Sequence, residues 1–432
     1  MSSTADARAG RAAFTHPGFV LFQVARFLIV AAVEMQAVAV GWQVYEITKR
    51  PLDLGYVGLA QFLPGILLFP ISGHVSDRFE RSKVLSACYA GYAVCFTLLL
   101  ILAERGTPSI RSIYVVLVLI GIVRSFNSTA SRSILPQLVP TEHFPNAVAW
   151  NASIFQAATI LGPSFGGIVY AAFHGPSAVY VIATVTAIGA TISSFRIKPE
   201  VKARPREPMS MKTVFAGLDY IWNKKLILGA ISLDLFAVLL GGAVALLPVY
   251  AREILHTGPW GLGLLRTAPG AGAAVMAVLL AHKPLRGKSG YTLLGAVAGF
   301  GLFTIIFGLS HSLTLSLIAL FLLGASDMIS VIIRATLTQL ATPDEMRGRV
   351  TAVDMIFIGT SNEFGQFESG VTAQWFGTVP AVVLGGVGTL IVIALWAWWF
   401  PELRNAGDLA AITSEPQRGV SGTTAEGESI PS

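Results

Sequence analysis

Residues 73–83 read GHVSDRFERSK. Asp77, Arg78, Glu80, Arg81 and Lys83 all fall within this short stretch, in a chain that is only 12% charged overall. The flanks are apolar, with YVGLAQFLPGILLFP (56–70) before it and VLSACYAGYAVCFTLLLILA (84–103) after it. A knot of charge between two long apolar runs is what a loop between two membrane-spanning helices looks like. The fold therefore turns on how often the pattern recurs.

A spanning helix needs about 20 mostly apolar residues. Runs of that kind are predicted at 19–45, 54–76, 84–104, 111–134, 146–171, 176–195, 225–250, 260–281, 290–310, 313–337, 350–375 and 379–400, which makes twelve. The composition agrees: 53% of the residues are hydrophobic, and soluble domains carry about twice this share of charge, near 25%. The first apolar run contains Arg26 and Glu34 and is too long for the core of a signal peptide, so it is expected to remain as a span.

Lys and Arg concentrate in cytoplasmic loops. With the N-terminus inside, Arg78, Arg81, Lys83, Arg132, the basic run from Arg196 to Lys225, Lys283, Arg286, Lys288, Arg347, Arg349 and Arg404 share one side. Lys49, Arg50, Arg105, Arg111 and Arg252 lie opposite. Both termini are thus expected in the cytoplasm, with the chain in the inner (plasma) membrane. The net charge of +6 reads as membrane topology rather than nucleic-acid binding. Cys88 and Cys95, the only cysteines, lie seven apart in the third run and read as packing residues. Neither a metal nor a cofactor is expected.

RIKPEVKARPREPMSMK (196–212) is rich in proline and base and divides the spans six and six. The expected organisation is a six-helix bundle over 1–195, a cytoplasmic linker over 196–224, a second six-helix bundle over 225–403 and a disordered cytoplasmic tail over 404–432. The halves resemble one another: VGLAQFLPG (57–65) matches LGLLRTAPG (262–270), and SRSILPQLVPTEHFPNAVAWN (131–151) matches RATLTQLATPDEMRGRVTAVD (334–354). Internal repeats in a many-span protein mark secondary transporters, whose substrate site lies between the repeats.

The 73–83 stretch resembles the loop signature of the major facilitator superfamily, with Gly73, Asp77, Arg78 and Arg81 in register. Glu80 stands where that family has a second glycine, and Ser82 where it has a base. The resemblance implies a cytoplasmic latch between the two halves. Arg124 and Asn127 resemble the family's R-x-x-[QN] pair, associated there with proton coupling. Gly162, Pro163, Gly166 and Gly167, preceded by Ala158, resemble the Gly-Pro signature of its antiporters and exporters. GWQVYEIT (41–48), PDEMRGRV (343–350) and NEFGQFESG (362–370) are similar to the bacterial exporter branch that includes enterobactin exporters.

A charge at the bilayer centre costs at least about 2.5–3.5 kcal/mol, so ionisable residues within spans are functional candidates. Arg26, Asp234, Arg334 and Asp354 sit nearer the span ends, while Glu34, Arg124, Asp327 and Glu363 sit nearer the middles. Glu34, Arg124, Asn127, Asp234, Arg266, Asp327 and Glu363 are the expected proton-coupling or cavity residues. Arg124 and Asp327 occupy matching places in the two halves, at an offset of 203, and are expected to meet as opposite charges. All seven histidines lie in loops or at span ends, and no H-E-x-x-H or nucleophile elbow is present. The chain is therefore expected to be a transporter and not an enzyme, an all-α membrane protein working as a monomer. Its expected partners are protons, the lipid bilayer and a small-molecule substrate. Export of an amphipathic or aromatic molecule such as a siderophore or drug-like compound, in exchange for protons, is the leading expectation. Proton-coupled import of a small metabolite is the alternative, with a membrane-embedded enzyme behind it.

Overall fold

The computed structural model describes residues 12–106, 109–198, 211–283 and 288–407. The proline-rich start of the linker and nearly all of the expected tail lie outside the described residues, as does the side chain of Asp77.

The first six spans form α1 (Pro17–Thr48), α2 (Pro51–Arg78), α3 (Arg81–Glu104), α4 (Ile110–Ile134), α5 (Phe144–Ala172) and α6 (Ser177–Phe195). A linker helix follows, α7 (Met211–Asn223), and then α8 (Lys225–Leu240), α9 (Gly258–His282), α10 (Ser289–Leu309), α11 (Leu313–Leu340), α12 (Asp344–Phe376) and α13 (Thr378–Trp399). Several begin with proline in the first turn, as in α1 and α2, where a missing N–H leaves no bond unmade. Between α12 and α13 only Gly377 separates the helices, with φ 90. A side chain is strained in that region of backbone space, so glycine makes this reversal possible.

Among the described residues eleven helices are long and apolar enough to cross a membrane. The twelfth span, α12, is 33 residues long but carries Asp354, Glu363 and Glu368 along its length. Its charge excludes it from an apolar measure, and its length and packing place it in the bundle.

Packing repeats between the halves. α1 packs on α5, α2 on α4 and α3 on α6; the equivalents α8 on α12, α9 on α11 and α10 on α13 are all present. The correspondence reaches single residues. Gly121 of α4 lies against the Gln61 carbonyl of α2, and Gly324 of α11, 203 positions on, lies against the Pro269 carbonyl of α9. A Cβ at either glycine would collide with backbone, so both sites hold helices at close approach.

Two features refine the sequence expectation, one in the linker and one in the seventh span. Within the linker over 196–224, Met211–Asn223 forms an amphipathic helix, α7. The seventh span is not one continuous helix: α8 ends at Leu240, Gly241 and Gly242 break it, and Ala243–Ile254 continues through a 3₁₀ turn into a π-helical turn at Tyr250–Ile254. Paired glycines weaken a helix interior, and a π turn inside a helix often marks a functional segment.

Antiparallel alternation puts the start of α1, the linker and the end of α13 at one end of the bundle, here the linker end. The opposite end is the far end. Large apolar side chains such as Val115, Val185, Leu309 and Ile391 are exposed around the bundle, which suits a surface facing lipid rather than water.

Candidate functional site

The two halves meet along two seams. In the first, α2 lies against α12: Gly55 abuts Phe367, Gly370 abuts Gly55 and Pro51, Gly58 abuts Glu363 and Gln366, and Phe62 packs on Phe364 at 6.0 Å between ring centroids. Further toward the linker end, a Cβ on Gly65 or Gly73 would meet nothing within 4 Å. In the second seam, α5 lies against α9. Gly167 abuts Pro259 and Gly263, Ser164 Oγ and Thr267 Oγ1 are 2.7 Å apart, Thr267 donates to the Ile160 carbonyl at 2.9 Å, and Gln156 donates to that of Gly270 at 3.1 Å. The contacts described across both seams run from the far end to about mid-depth. Arg132, whose guanidinium reaches the Met355 sulfur, is a contact between the halves on the open side.

The Gly-Pro stretch is what closes the second seam. A Cβ on Gly162 would meet Glu34 Cβ at 2.6 Å, one on Gly166 would meet the Met35 Cα at 2.8 Å, and one on Gly167 would meet the Pro259 carbonyl at 2.5 Å. These glycines let α5 pack on α1 and on α9 at once, and Pro163 sits between them within the helix.

Where the closed parts of the seams end, four charges converge from four helices. Arg124 on α4 donates to Glu363 Oε1 on α12 at 3.3 Å, across the halves, and Gln366 donates to Glu363 Oε2 at 3.2 Å. Arg266 on α9 lies in the field of Glu34 on α1 and of Glu363; Glu34 in turn feels Arg124. Two acids and two bases balance formally. Glu363 is buried, whereas 55% of the Arg124 side chain is exposed, so the guanidinium keeps a free face toward the opening. Asn127, one turn along α4, accepts a hydrogen bond from Ser131 at 3.3 Å and takes no part in the four-charge cluster.

The expected Arg124–Asp327 pair is not what the structure holds. Arg124 pairs with Glu363, and Asp327 lies in the field of Asp234 and Arg334. Equivalent positions in two symmetric halves point alike into their own bundles, and a short aspartate stays there, while a long arginine reaches across. Asp234 on α8 and Arg334 on α11 form a buried ion pair, and Asp354 on α12 joins the same field. This second cluster lies wholly within α8–α13. Asp234, Arg334 and Asp354 were expected near span ends, and the pairing of Arg334 with Asp234 across helices carries no signal in the sequence.

At the far end a further contact between the halves went unforeseen. Glu46, in the last turn of α1, accepts from Arg252 of the π turn at 3.1 Å. Tyr170 donates to Glu46 at 3.3 Å, and the Arg252 guanidinium stands 5.4 Å from the Trp42 ring centroid. At the linker end, by contrast, Arg81 donates to the Ser133 carbonyl of α4 at 3.0 Å, within its own half, and Arg78 is exposed.

The family profile described as the Major Facilitator Superfamily matches residues 22–366. An enterobactin exporter (EntS) of Citrobacter koseri is 26% identical over 399 residues, covering 90% of this chain and 94% of that protein. An uncharacterized MFS-type transporter, YfiS, of Bacillus subtilis is 25% identical over 363 residues, covering 81% and 85%. Among solved structures, a bacterial homolog of the human lysosomal transporter Spinster, inward-facing and unoccupied, superposes with a TM-score of 0.69 at 13% identity, covering 90% of this chain and 98% of that one. A D-xylose-proton symporter gives 0.67 at 14% identity with the same coverage. At such identities the two structures speak for the fold alone.

Proposed function

This chain belongs to the Major Facilitator Superfamily, and from that premise we propose that it is a proton-coupled exporter of a small amphipathic or aromatic molecule, with siderophores as the leading class. The observation that carries the reading is the cluster of Glu34, Arg124, Arg266 and Glu363 where the two seams stop. A balanced set of acids and bases that spans both halves changes its pairing whenever the halves rock. Protonating one carboxylate frees a guanidinium for an anionic group on cargo, and the aromatic pairs Phe62–Phe364 and Tyr56–Phe367 at the α2–α12 seam supply ring contacts beside it. The activity named for the EntS relatives supports outward movement and a siderophore-like cargo.

Sidedness follows from the basic side chains. With the linker end in the cytoplasm, as the excess of Lys and Arg there favours, the seams are closed toward the outside and open inward. Cargo enters from the cytoplasm and a proton enters from outside. Glu34, within the four-charge cluster, and Asp327 are the carboxylates proposed to take it. Gly73, Asp77, Arg78 and Arg81 would then form their latch only in the opposite, outward-open state, in which the linker end closes.

The test uses inverted membrane vesicles from cells expressing the chain. With catecholate siderophores and aromatic dyes as probes, acidifying the lumen is expected to drive their accumulation, and collapsing the pH gradient to abolish it. Accumulation by right-side-out vesicles under an inward proton gradient would establish import instead.

A further inference from the structure

We propose that α7 docks on the bilayer surface at the linker end, with Phe215 and Trp222 inserted among the headgroups and Lys224 and Lys225 set against anionic lipid. The inference goes beyond the transport reading; only the anionic character of the leaflet rests on the assignment of the linker end to the cytoplasm.

The two faces of α7 differ sharply. Ile221 is fully buried and packs with Ile227, Ile231, Val350 and Val353 of α8 and α12. Gly217 presses on the Arg349 backbone of α12, where a Cβ would meet the carbonyl oxygen at 2.6 Å, and the Tyr220 hydroxyl donates to the Ala341 carbonyl at 3.3 Å. That face is satisfied by protein. The other face presents Phe215, 61% exposed, and Trp222, 70% exposed, two turns apart on one stripe, with the exposed Asp219 between them. A phenylalanine and a tryptophan this exposed on a firmly packed helix need an apolar partner.

Depth identifies the partner. α8 starts at Lys225, a single residue after α7 ends. Phe400, just past α13, packs on Gly229 of α8, and Trp396 donates to Ser232 Oγ at 3.0 Å. Trp398 and Trp399, 73% and 54% exposed at the end of α13, therefore stand about 6 Å of helix rise from Lys225. Trp222 continues that band of exposed tryptophan. Amphipathic rings gather at headgroup level, and an amphipathic helix with aromatic residues on one face and lysines at its border is suited to lie in the interface plane. Lys224 and Lys225 are both exposed, and their charge complements an anionic surface. Because the opposite face of α7 holds the first turns of α12, one wall of the opening, the docked helix ties the position of that wall to the lipid.

The test compares the full chain with its Trp222→Phe variant in liposomes containing phosphatidylglycerol, using phospholipids brominated near the headgroup and a water-soluble quencher. The expected result is that the tryptophan emission lost in Trp222→Phe is the part quenched by the brominated lipid and shielded from the aqueous quencher. Lys224→Gln with Lys225→Gln is expected to weaken that lipid quenching, and phosphatidylcholine alone to weaken it likewise. Quenching of this emission from water and not from lipid would overturn the proposal. A Phe215→Cys variant gives a second reading in case Trp222→Phe does not fold: a spin label there should be more accessible to oxygen than to an aqueous nickel chelate. The reverse order, or disulfide-linked dimers through this cysteine, would assign the face to water or to a second copy and refute lipid docking.

Discussion

Two ion pairs in one membrane protein have opposite jobs, and their exposure tells them apart. Asp234 and Arg334 are both buried, and removing one partner of such a pair leaves the other charged in a poor solvent, at a cost of about 3–5 kcal/mol. Asp234→Ala or Arg334→Ala is expected to lower thermal stability in detergent by that order. Arg124 makes one contact of 3.3 Å while 55% of its side chain is exposed, and Glu363 keeps a second partner in Gln366 at 3.2 Å, so losing Arg124 costs less than breaking the pair that is buried on both sides. Arg124→Ala should leave the melting temperature close to wild type while abolishing transport. A double-mutant cycle on transport-competent binding should show Arg124 and Glu363 coupled and Arg124 and Asp327 additive within about 0.5 kcal/mol. A melting temperature that falls as far for Arg124→Ala as for Asp234→Ala would make the cross-half pair structural. The sequence marked all of these positions, because charge in an apolar run stands out. It could not assign partners, since partnership depends on which helices face each other and on side-chain reach, and the repeat offset made Asp327 look like the mate of Arg124.

Helix-level features were legible where composition changes and illegible where it does not. GPSFGG announced close packing of α5, and the structure presses Gly167 on Pro259 and Gly263 of α9. The break at Gly241–Gly242 lies in an unbroken apolar run, and periodicity does not register a hinge that keeps hydropathy constant. The α7 helix was hidden because the proline-rich run beside it dominated the reading of the linker. These elements give the far-end closure its parts: the α5–α9 seam, the α2–α12 seam and the Glu46–Arg252 contact on the segment beyond the break. Gly167→Val should open the seam, because its Cβ has no room and forced packing costs about 1–3 kcal/mol, enough to shift a two-state population about 5- to 150-fold. The measurement is maleimide labelling of a Ser164→Cys reporter, with native Cys88 and Cys95 buried. Labelling is expected to rise strongly with Gly167→Val and only slightly with Glu46→Gln, since Glu46 is 47% exposed and its ion pair correspondingly weak. Equal labelling in all three proteins would mean that the seam does not hold the far end shut.

At the scale of the whole molecule the fold could be read almost completely, because the bilayer enforces it: each crossing must satisfy its own backbone, and only long apolar helices do so. Even α12, whose charges defeat a strict apolar criterion, stood out among the twelve mostly apolar runs, at 350–375. What sequence does not encode visibly is the relative tilt of the halves, which is set by contacts between residues more than a hundred positions apart. The structure holds one tilt, in which the described contacts across the seams run from the far end to about mid-depth. If the halves move as rigid bodies about the four-charge cluster, distances at the two ends must change in opposite senses. Spin labels at Arg78→Cys and Arg347→Cys report the linker end, on exposed sites in different halves. Labels at Arg105→Cys and Phe376→Cys report the far end, on exposed sites likewise in different halves. In proteoliposomes, adding a transported siderophore under an imposed pH gradient is expected to shorten the first distance and lengthen the second. Shortening of both would mean that cargo closes the molecule around itself by local bending, with Gly241–Gly242 as the moving joint, and the rocking of two rigid halves would be wrong for this chain.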